Sequence, residues 1–166
     1  MMNVYEIPLV RGAQSAVASL DRQPPDSRRQ QPRTTHHAFY FLDLPGYGYA
    51  RASQGDRQAF RHLIRHTLER ARLAGVLWLL DIRREPSDDD RATHELFAGR
   101  ETLVLAVLTK SDTLPRAGRV RRERELRETL ELDADQVIRT SAREQEGVEE
   151  LREAIGELVS TSGAPG

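Results

Sequence analysis

The stretch TLVLAVLTKSD (residues 102–112) opens with an apolar run, Thr102 to Leu108, and closes on a polar turn. A run with no polar alternation is the pattern of a strand buried on both faces. Such a strand needs neighbours, and similar runs flank it. Ala38 to Leu42 and Val76 to Asp81 precede it, and Val137 to Thr140 comes after. Helical spacing fills the gaps. Ser53 to Ala74 repeats through Phe60, Leu63, Ile64, Leu68 and Leu73, and Asp88 to Ala98 predicts a short helix. Arg116 to Leu132 predicts a charged helix with Val120, Leu126 and Leu130 inward. Val148 to Val159 predicts a last one, with Leu151, Ile155 and Leu158 on one face. Strand–helix alternation from residue 38 onward implies an α/β fold, a mostly parallel sheet with helices on both faces. In such sheets ligands bind beyond the carboxyl ends of the strands.

The first third reads differently. Ile7 to Val10 is a candidate strand, weakened for a central position by Pro8. Residues 21–35 (DRQPPDSRRQQPRTT) contain no hydrophobic residue, so burial cannot offset their ordering and a mobile loop is expected. The division expected is a degenerate or disordered segment 1–37, a domain 38–160 and a fraying tail, TSGAPG.

Composition narrows the function. A chain of 166 residues suits one domain, and 38 % hydrophobic residues suffice for a core. The absence of cysteine excludes disulfides, Cys-ligated zinc and thiol catalysis, and fits a reducing cytoplasm. Apolar runs such as Gly75 to Leu80 are too short for a bilayer, and no signal pattern opens the chain. A net charge of −1 gives no whole-molecule field for nucleic acid. Among the 25 basic residues Lys110 is the only lysine.

The turns at the strand ends carry the chemistry. Asp43-Leu44-Pro45-Gly46 leaves the first strong strand; an Asp there can hold a metal-bound water and a Gly lets a backbone N–H approach an anion. Thr109-Lys110-Ser111-Asp112 leaves the third. A carboxylate at Asp112 can accept from both N1–H and the exocyclic amine of guanine, a donor pair that adenine lacks. The Lys110 stem can lie over the base, a task for which the broad head of arginine is ill suited. The bland reading of this turn is a helix N-cap at Ser111 or Asp112. After the fourth strand, Ser141-Ala142 can bring a backbone N–H to the guanine O6. Each motif alone is weak; their order at the ends of successive or near-successive strands points to a guanine-nucleotide site.

FLDLPGYGYA (41–50), LLDIRREPSDDD (79–90), VLTKSD (107–112) and TSAREQEGVEEL (140–151) resemble the EngB (YihA/YsxC) family of bacterial GTPases, over residues 38–160. The resemblance implies a Ras-like P-loop GTPase fold and GTP binding and hydrolysis in large-ribosomal-subunit assembly, linked to cell division and septation. It implies GTP or GDP and Mg²⁺ as cofactors. Asp43 would support the metal, Gly46 the γ-phosphate, and Thr109, Lys110, Asp112, Ser141 and Ala142 the base. In PRTT (32–35) either threonine, Thr34 or Thr35, is a candidate metal ligand, with Thr34 taken. Guanine nucleotide and the large ribosomal subunit are the implied partners, with a monomer, no membrane and no disulfides expected. Tyr47 stands where many GTPases carry a water-positioning Gln, which implies slow unaided hydrolysis.

The first third departs from that family. A phosphate loop needs G-x-x-x-x-G-K-[ST], and the only lysine is already placed. If EIPLV (6–10) is the first strand, Ala16, Val17 and Ala18 fill the Gly, Lys and Ser places. No catalytic residue is assigned. Three accounts stay open: an N-terminal third out of frame, which its Arg, Gln, Pro and Ser richness favours; a degenerate GTPase that binds guanine nucleotide weakly or not at all; and, least favoured, an active GTPase with an unrecognised phosphate site. A rival of another class is a non-catalytic module that docks on the ribosome or another protein. Arg119 to Glu128 is read as a solvated face paired at Arg121–Glu125, Arg124–Glu128 and Glu123–Arg127. Asp88-Asp89-Asp90 is read as a helix cap, and His36-His37 as loop.

Overall fold

The computed structural model describes residues 3–8, 38–44, 53–70, 72–98 and 100–162. They belong to two compact units, residues 1–45 and 46–166. In the first, β1 (Asn3–Pro8) pairs antiparallel with β2 (Ala38–Asp43), Asn3 opposite Asp43 and Pro8 opposite Ala38. Proline is tolerated at the strand end, where its missing N–H removes no internal rung. The strand lies earlier than the expected Ile7–Val10. A strand–loop–helix crossover returns the chain parallel, so this antiparallel register gives no support to placing EIPLV ahead of a phosphate loop. The segment 21–35, the RGAQSAVAS stretch, His36, His37, GYGYARA (46–52) and residues 163–166 lie outside the described residues.

The second unit begins with α1 (Gln54–Leu68). Its start is fixed by a capping box: Asp56 N–H donates to the Ser53 hydroxyl at 3.2 Å, and Ser53 N–H to the Asp56 carboxylate at 2.9 Å. The helix was expected to run on to Ala74, but it closes at Glu69, and Leu73 lies in the connection. The chain has to reach Gly75, where a Cβ would stand 3.1 Å from the Leu103 carbonyl and 3.3 Å from the Leu158 side chain. Glycine allows that close approach.

Three parallel strands come next, β3 (Val76–Asp81), β4 (Val104–Thr109) and β5 (Val137–Arg139), in the order β3-β4-β5. The middle strand is formed by the unbroken apolar run, and its residues Leu105 to Leu108 are all buried. Alternation sends them to opposite faces. Leu105 and Val107 join Ile138 and Leu77 under Leu151 and Ala154 of α4 (Val148–Ser162). On the other face Trp78 stacks on His94 and meets Phe97 edge-on at 5.7 Å, both from α2 (Asp88–Phe97). Helices thus cover both faces, as expected. Helix α4 extends through Ser162, so Thr161 and Ser162 belong to it rather than to the tail. Helix α2 is capped by Ser87 and Asp90, which bears out the capping reading of the acidic triplet. Among the described residues no group of His, Cys, Asp and Glu is placed to hold a metal ion. No helix among them is long and apolar enough to cross a membrane.

Helix α3 (Arg116–Thr129) turns differently from expectation. Leu126 and Leu130 are buried, but Val120 is 66 % exposed and Arg119 is the buried residue, at 7 %. Each residue rotates the helix by about 100°, so the stripe through Leu126 reaches back seven positions to Arg119, not to Val120. Burial of a guanidinium is tolerated because acceptors surround it: Leu114 O, Glu144 and Glu146 all accept from Arg119. The pairs Arg121–Glu125 and Arg124–Glu128 form at 3.5 and 3.7 Å. Glu123 instead meets Arg139 of β5, and Arg127 Nε is buried with no hydrogen-bond partner among the described residues.

Candidate functional site

The parallel register sets three strand ends side by side. Asp81 is opposite Thr109 across β3 and β4, and Leu108 is opposite Arg139 across β4 and β5. Two backbone bonds extend the ladder past the last strand: Thr140 N–H to Leu108 O at 2.7 Å, and Ser111 N–H to Thr140 O at 3.1 Å. The turn after β4 and the turn after β5 are thereby held against each other.

Lys110 takes the left-handed conformation, φ 63° and ψ 33°. For a residue with a Cβ this costs about 1–2 kcal/mol, and such strain concentrates at functional sites. It is held by Thr113, whose N–H and hydroxyl both donate to Lys110 O, at 3.1 and 2.7 Å. The reversal turns Ser111 inward to full burial and leaves Asp112 half-buried at the surface. The Ser141 hydroxyl, itself fully buried, donates to Asp112 Oδ1 at 2.8 Å. Asp112 Oδ2 has no hydrogen-bond partner among the described residues. Ala142 is exposed, its carbonyl accepting from the Gln145 amide, while its N–H meets no described acceptor.

The Lys110 ammonium reaches across to β3 and bonds Asp81 Oδ2 at 2.9 Å. Asp81 also accepts a two-pronged bond from Arg83, at 2.9 and 2.7 Å, and the Arg83 backbone N–H. The Arg83 guanidinium above all, with Lys110 behind it and burial opposing, holds the Asp81 carboxyl far below the usual carboxylate range. The Lys110 head is therefore fixed while its side chain stays exposed. Thr109 turns its hydroxyl back to Leu80 O at 3.1 Å, so it braces the strand ends.

Behind both turns lies Glu146. Its carboxylate accepts from the Ser111 hydroxyl at 2.7 Å, from Arg119 at 2.7 Å and from Arg139 at 3.3 Å, and its carbonyl accepts from Ser141 N–H at 2.9 Å. The Ser111 hydroxyl is the main cause that lowers its pKa. Gly147 comes next with φ 67°, where a Cβ would lie 2.0 Å from the Arg139 carbonyl oxygen.

Of the expected site residues, Thr109, Lys110, Asp112, Ser141 and Ala142 stand together at these strand ends. Asp43 is exposed at the end of β2 in the first unit. Gly46 and Thr34 lie outside the described residues. Sequence reasoning missed the roles of Asp81, Arg83, Ser111, Arg119 and Glu146 in this framework. The D-x-R at 81–83 is visible as a motif; the others are separated along the chain from the groups they hold.

No family model matches the chain. Curated relatives do. "Probable GTP-binding protein EngB" of Syntrophomonas wolfei is 38 % identical over 122 residues, 73 % of this chain and 63 % of the relative. Its namesake in Gemmatimonas aurantiaca is 40 % identical over 126 residues, 75 % and 62 % of the two chains. That of Listeria welshimeri is 31 % identical over 121 residues, 72 % and 62 %. The chain spans about three fifths of the length of these relatives. The crystal structure of a probable GTP-binding protein EngB matches with a TM-score of 0.62 at 16 % identity, covering 74 % of this chain and 77 % of that one. That likeness shows a fold shared with that structure, an α/β fold with helices on a parallel sheet.

Proposed function

We propose that this chain, a member of the EngB family over the stretch it shares with its relatives, binds guanine nucleotides through the turns after β4 and β5. The observation that carries the reading is the Asp112 carboxylate, held by Ser141 through Oδ1 with Oδ2 open. Each carboxylate oxygen has two acceptor sites, so the pair can still receive N1–H and the 2-amino group of guanine. Adenine would leave the carboxylate without those donors and is penalised accordingly. Lys110, its head held by Asp81, offers its stem to the face of the base. The Ala142 N–H is available for O6, and Thr109 steadies the strand ends.

Phosphate is held less well. Asp43 is proposed to support a magnesium-bound water, with Gly46 at the γ-phosphate and Thr34 at the metal. Magnesium with bound nucleotide would neutralise phosphate charge. The described residues do not by themselves assemble a magnesium site. These 166 residues hold no lysine but Lys110, so none of them is a phosphate-loop lysine. Each charge-assisted bond is worth about 1.5–3 kcal/mol. Without the lysine and the metal hydroxyl, binding is weaker by roughly two to four powers of ten than with a full loop.

The family resemblance extends the proposal to a cytoplasmic role in large-ribosomal-subunit assembly, linked to cell division and septation. The missing lysine favours a second reading, a docking module that meets the ribosome or another protein without catalysis. Competition of GDP and ADP for the site, with and without Mg²⁺, separates them. Saturable binding in which GDP outcompetes ADP supports the first. No displacement by either up to millimolar nucleotide overturns it.

A further inference from the structure

We propose that Glu146 is a positioning residue for the base-reading carboxylate, tying the turn that carries Asp112 to the turn that carries Ser141. The inference deepens the guanine-binding reading and rests on it. Glu146 touches both turns by different atoms. Its carboxylate takes the hydroxyl of Ser111, the residue between Lys110 and Asp112, at 2.7 Å. Its carbonyl takes the N–H of Ser141 at 2.9 Å, and Ser141 in turn holds Asp112 Oδ1. Moving Glu146 therefore moves both the backbone under Asp112 and the hydroxyl that aims it.

The anchor is itself fixed from two elements. Arg119, buried on α3, bonds Glu146 at 2.7 Å and Glu144 at 3.0 Å, and Arg139 on β5 bonds Glu146 at 3.3 Å. Arg119 also donates to Leu114 O, closing the far side of the Lys110–Asp112 turn. Two guanidinium groups against one carboxylate keep it charged, so Ser111 always finds an acceptor. Gly147, which follows Glu146, is left-handed, and a Cβ there would meet the Arg139 carbonyl, so the turn needs glycine at this place. None of these groups needs to touch nucleotide.

A looser Asp112 would lose the two-donor reading before it lost binding altogether. The 2-amino group is the donor that GDP has and IDP lacks, so their affinity ratio reports the aim of the carboxylate. A bond to a charged acceptor makes that ratio about tenfold or more. Glu146→Gln keeps an acceptor for Ser111 but loses both ion pairs; Ser111→Ala removes only the hydroxyl. Glu123→Gln, which touches Arg139 but neither turn, is the control. In the full chain the expected result is a GDP-to-IDP ratio within about threefold of unity in Glu146→Gln, a partial fall in Ser111→Ala and none in Glu123→Gln. Loss of folded protein alone would lower both affinities and leave the ratio intact. Amide exchange tests the same coupling without nucleotide: segments 109–115 and 140–147 should speed up together in Glu146→Gln. An unchanged ratio with wild-type guanine preference overturns the inference and spares the guanine site. Exchange that rises in one turn only overturns the tie. A wild type that binds neither nucleotide overturns both proposals.

Discussion

Replacing Gly147 by alanine tests the geometry of the turn after β5 through stability. At φ 67° a residue with a Cβ costs about 1–2 kcal/mol. The added Cβ would also lie 2.0 Å from the Arg139 carbonyl oxygen and 3.1 Å from its carbon, both backbone atoms at the end of β5. They cannot swing aside as a side-chain tip can, and forced shifts of this kind cost about 1–3 kcal/mol. The sum is about 2–5 kcal/mol. For a chain of this size 1 kcal/mol moves Tm by roughly 2–4 °C, so a fall of roughly 4–20 °C is expected. Gly156→Ala supplies the opposite sign. Gly156 lies inside α4, and nothing stands within 4 Å of its added Cβ. Relief of backbone entropy should stabilise that variant by about 0.5–1 kcal/mol. Thermal melting and urea titration of both measure the difference. If Gly147→Ala costs less than about 1 kcal/mol, the turn is not built as described, and the anchoring of Glu146 goes with it.

Other perturbations probe the core, the charge cluster and the base site. Leu108→Ala, at 1 % exposure on the middle strand, should cost about 2–5 kcal/mol, while Val120→Ala, at 66 % exposure, should stay within about 0.5 kcal/mol; similar losses in urea titrations would refute the rotation assigned to α3. Asp81 has its pKa lowered by Arg83 and Lys110, so its contribution is complete above the ordinary value of 3.8 and is lost as pH falls toward the lower folded value. Acid unfolding of Asp81→Asn should accordingly show a shallower pH dependence below that value than wild type, and identical slopes would count against the cluster. Ser141→Ala removes the hydroxyl that aims Asp112, and calorimetric titration with GDP should show affinity weaker by roughly one to two powers of ten. Unchanged affinity would mean that Asp112 needs no such support.

The strands from residue 38 onward were legible because a buried strand is an unbroken apolar run, and Val76–Asp81 begins and ends where the sequence placed it, whereas β1 lies earlier than Ile7–Val10. Helix ends were less so. Leu73 fits the period of α1 but lies beyond it, because the approach at Gly75 is a tertiary constraint with no local signal. Val120 looked like core because it is apolar, yet Arg119 takes the inward place, where carboxylates distant in sequence receive it. The turns after β4 and β5 proposed to read the base could be picked out from their residue types and order. The groups that hold them could not: Lys110 and Asp81 are 29 residues apart, and Ser111 and Glu146 are 35 apart. The αL backbone at Lys110 was likewise hidden, since lysine gives no hint of positive φ.

Guanine recognition by Asp112 stands or falls on a titration of the protein with fluorescent GDP, with and without Mg²⁺, set beside Asp112→Asn. Asparagine keeps the size of the side chain but replaces one acceptor by a donor, so it can no longer receive both guanine hydrogens. Saturable binding to wild type and a shift of preference away from guanine in the variant are expected. Absence of binding up to millimolar nucleotide, or equal guanine affinity in the two proteins, would contradict the assignment.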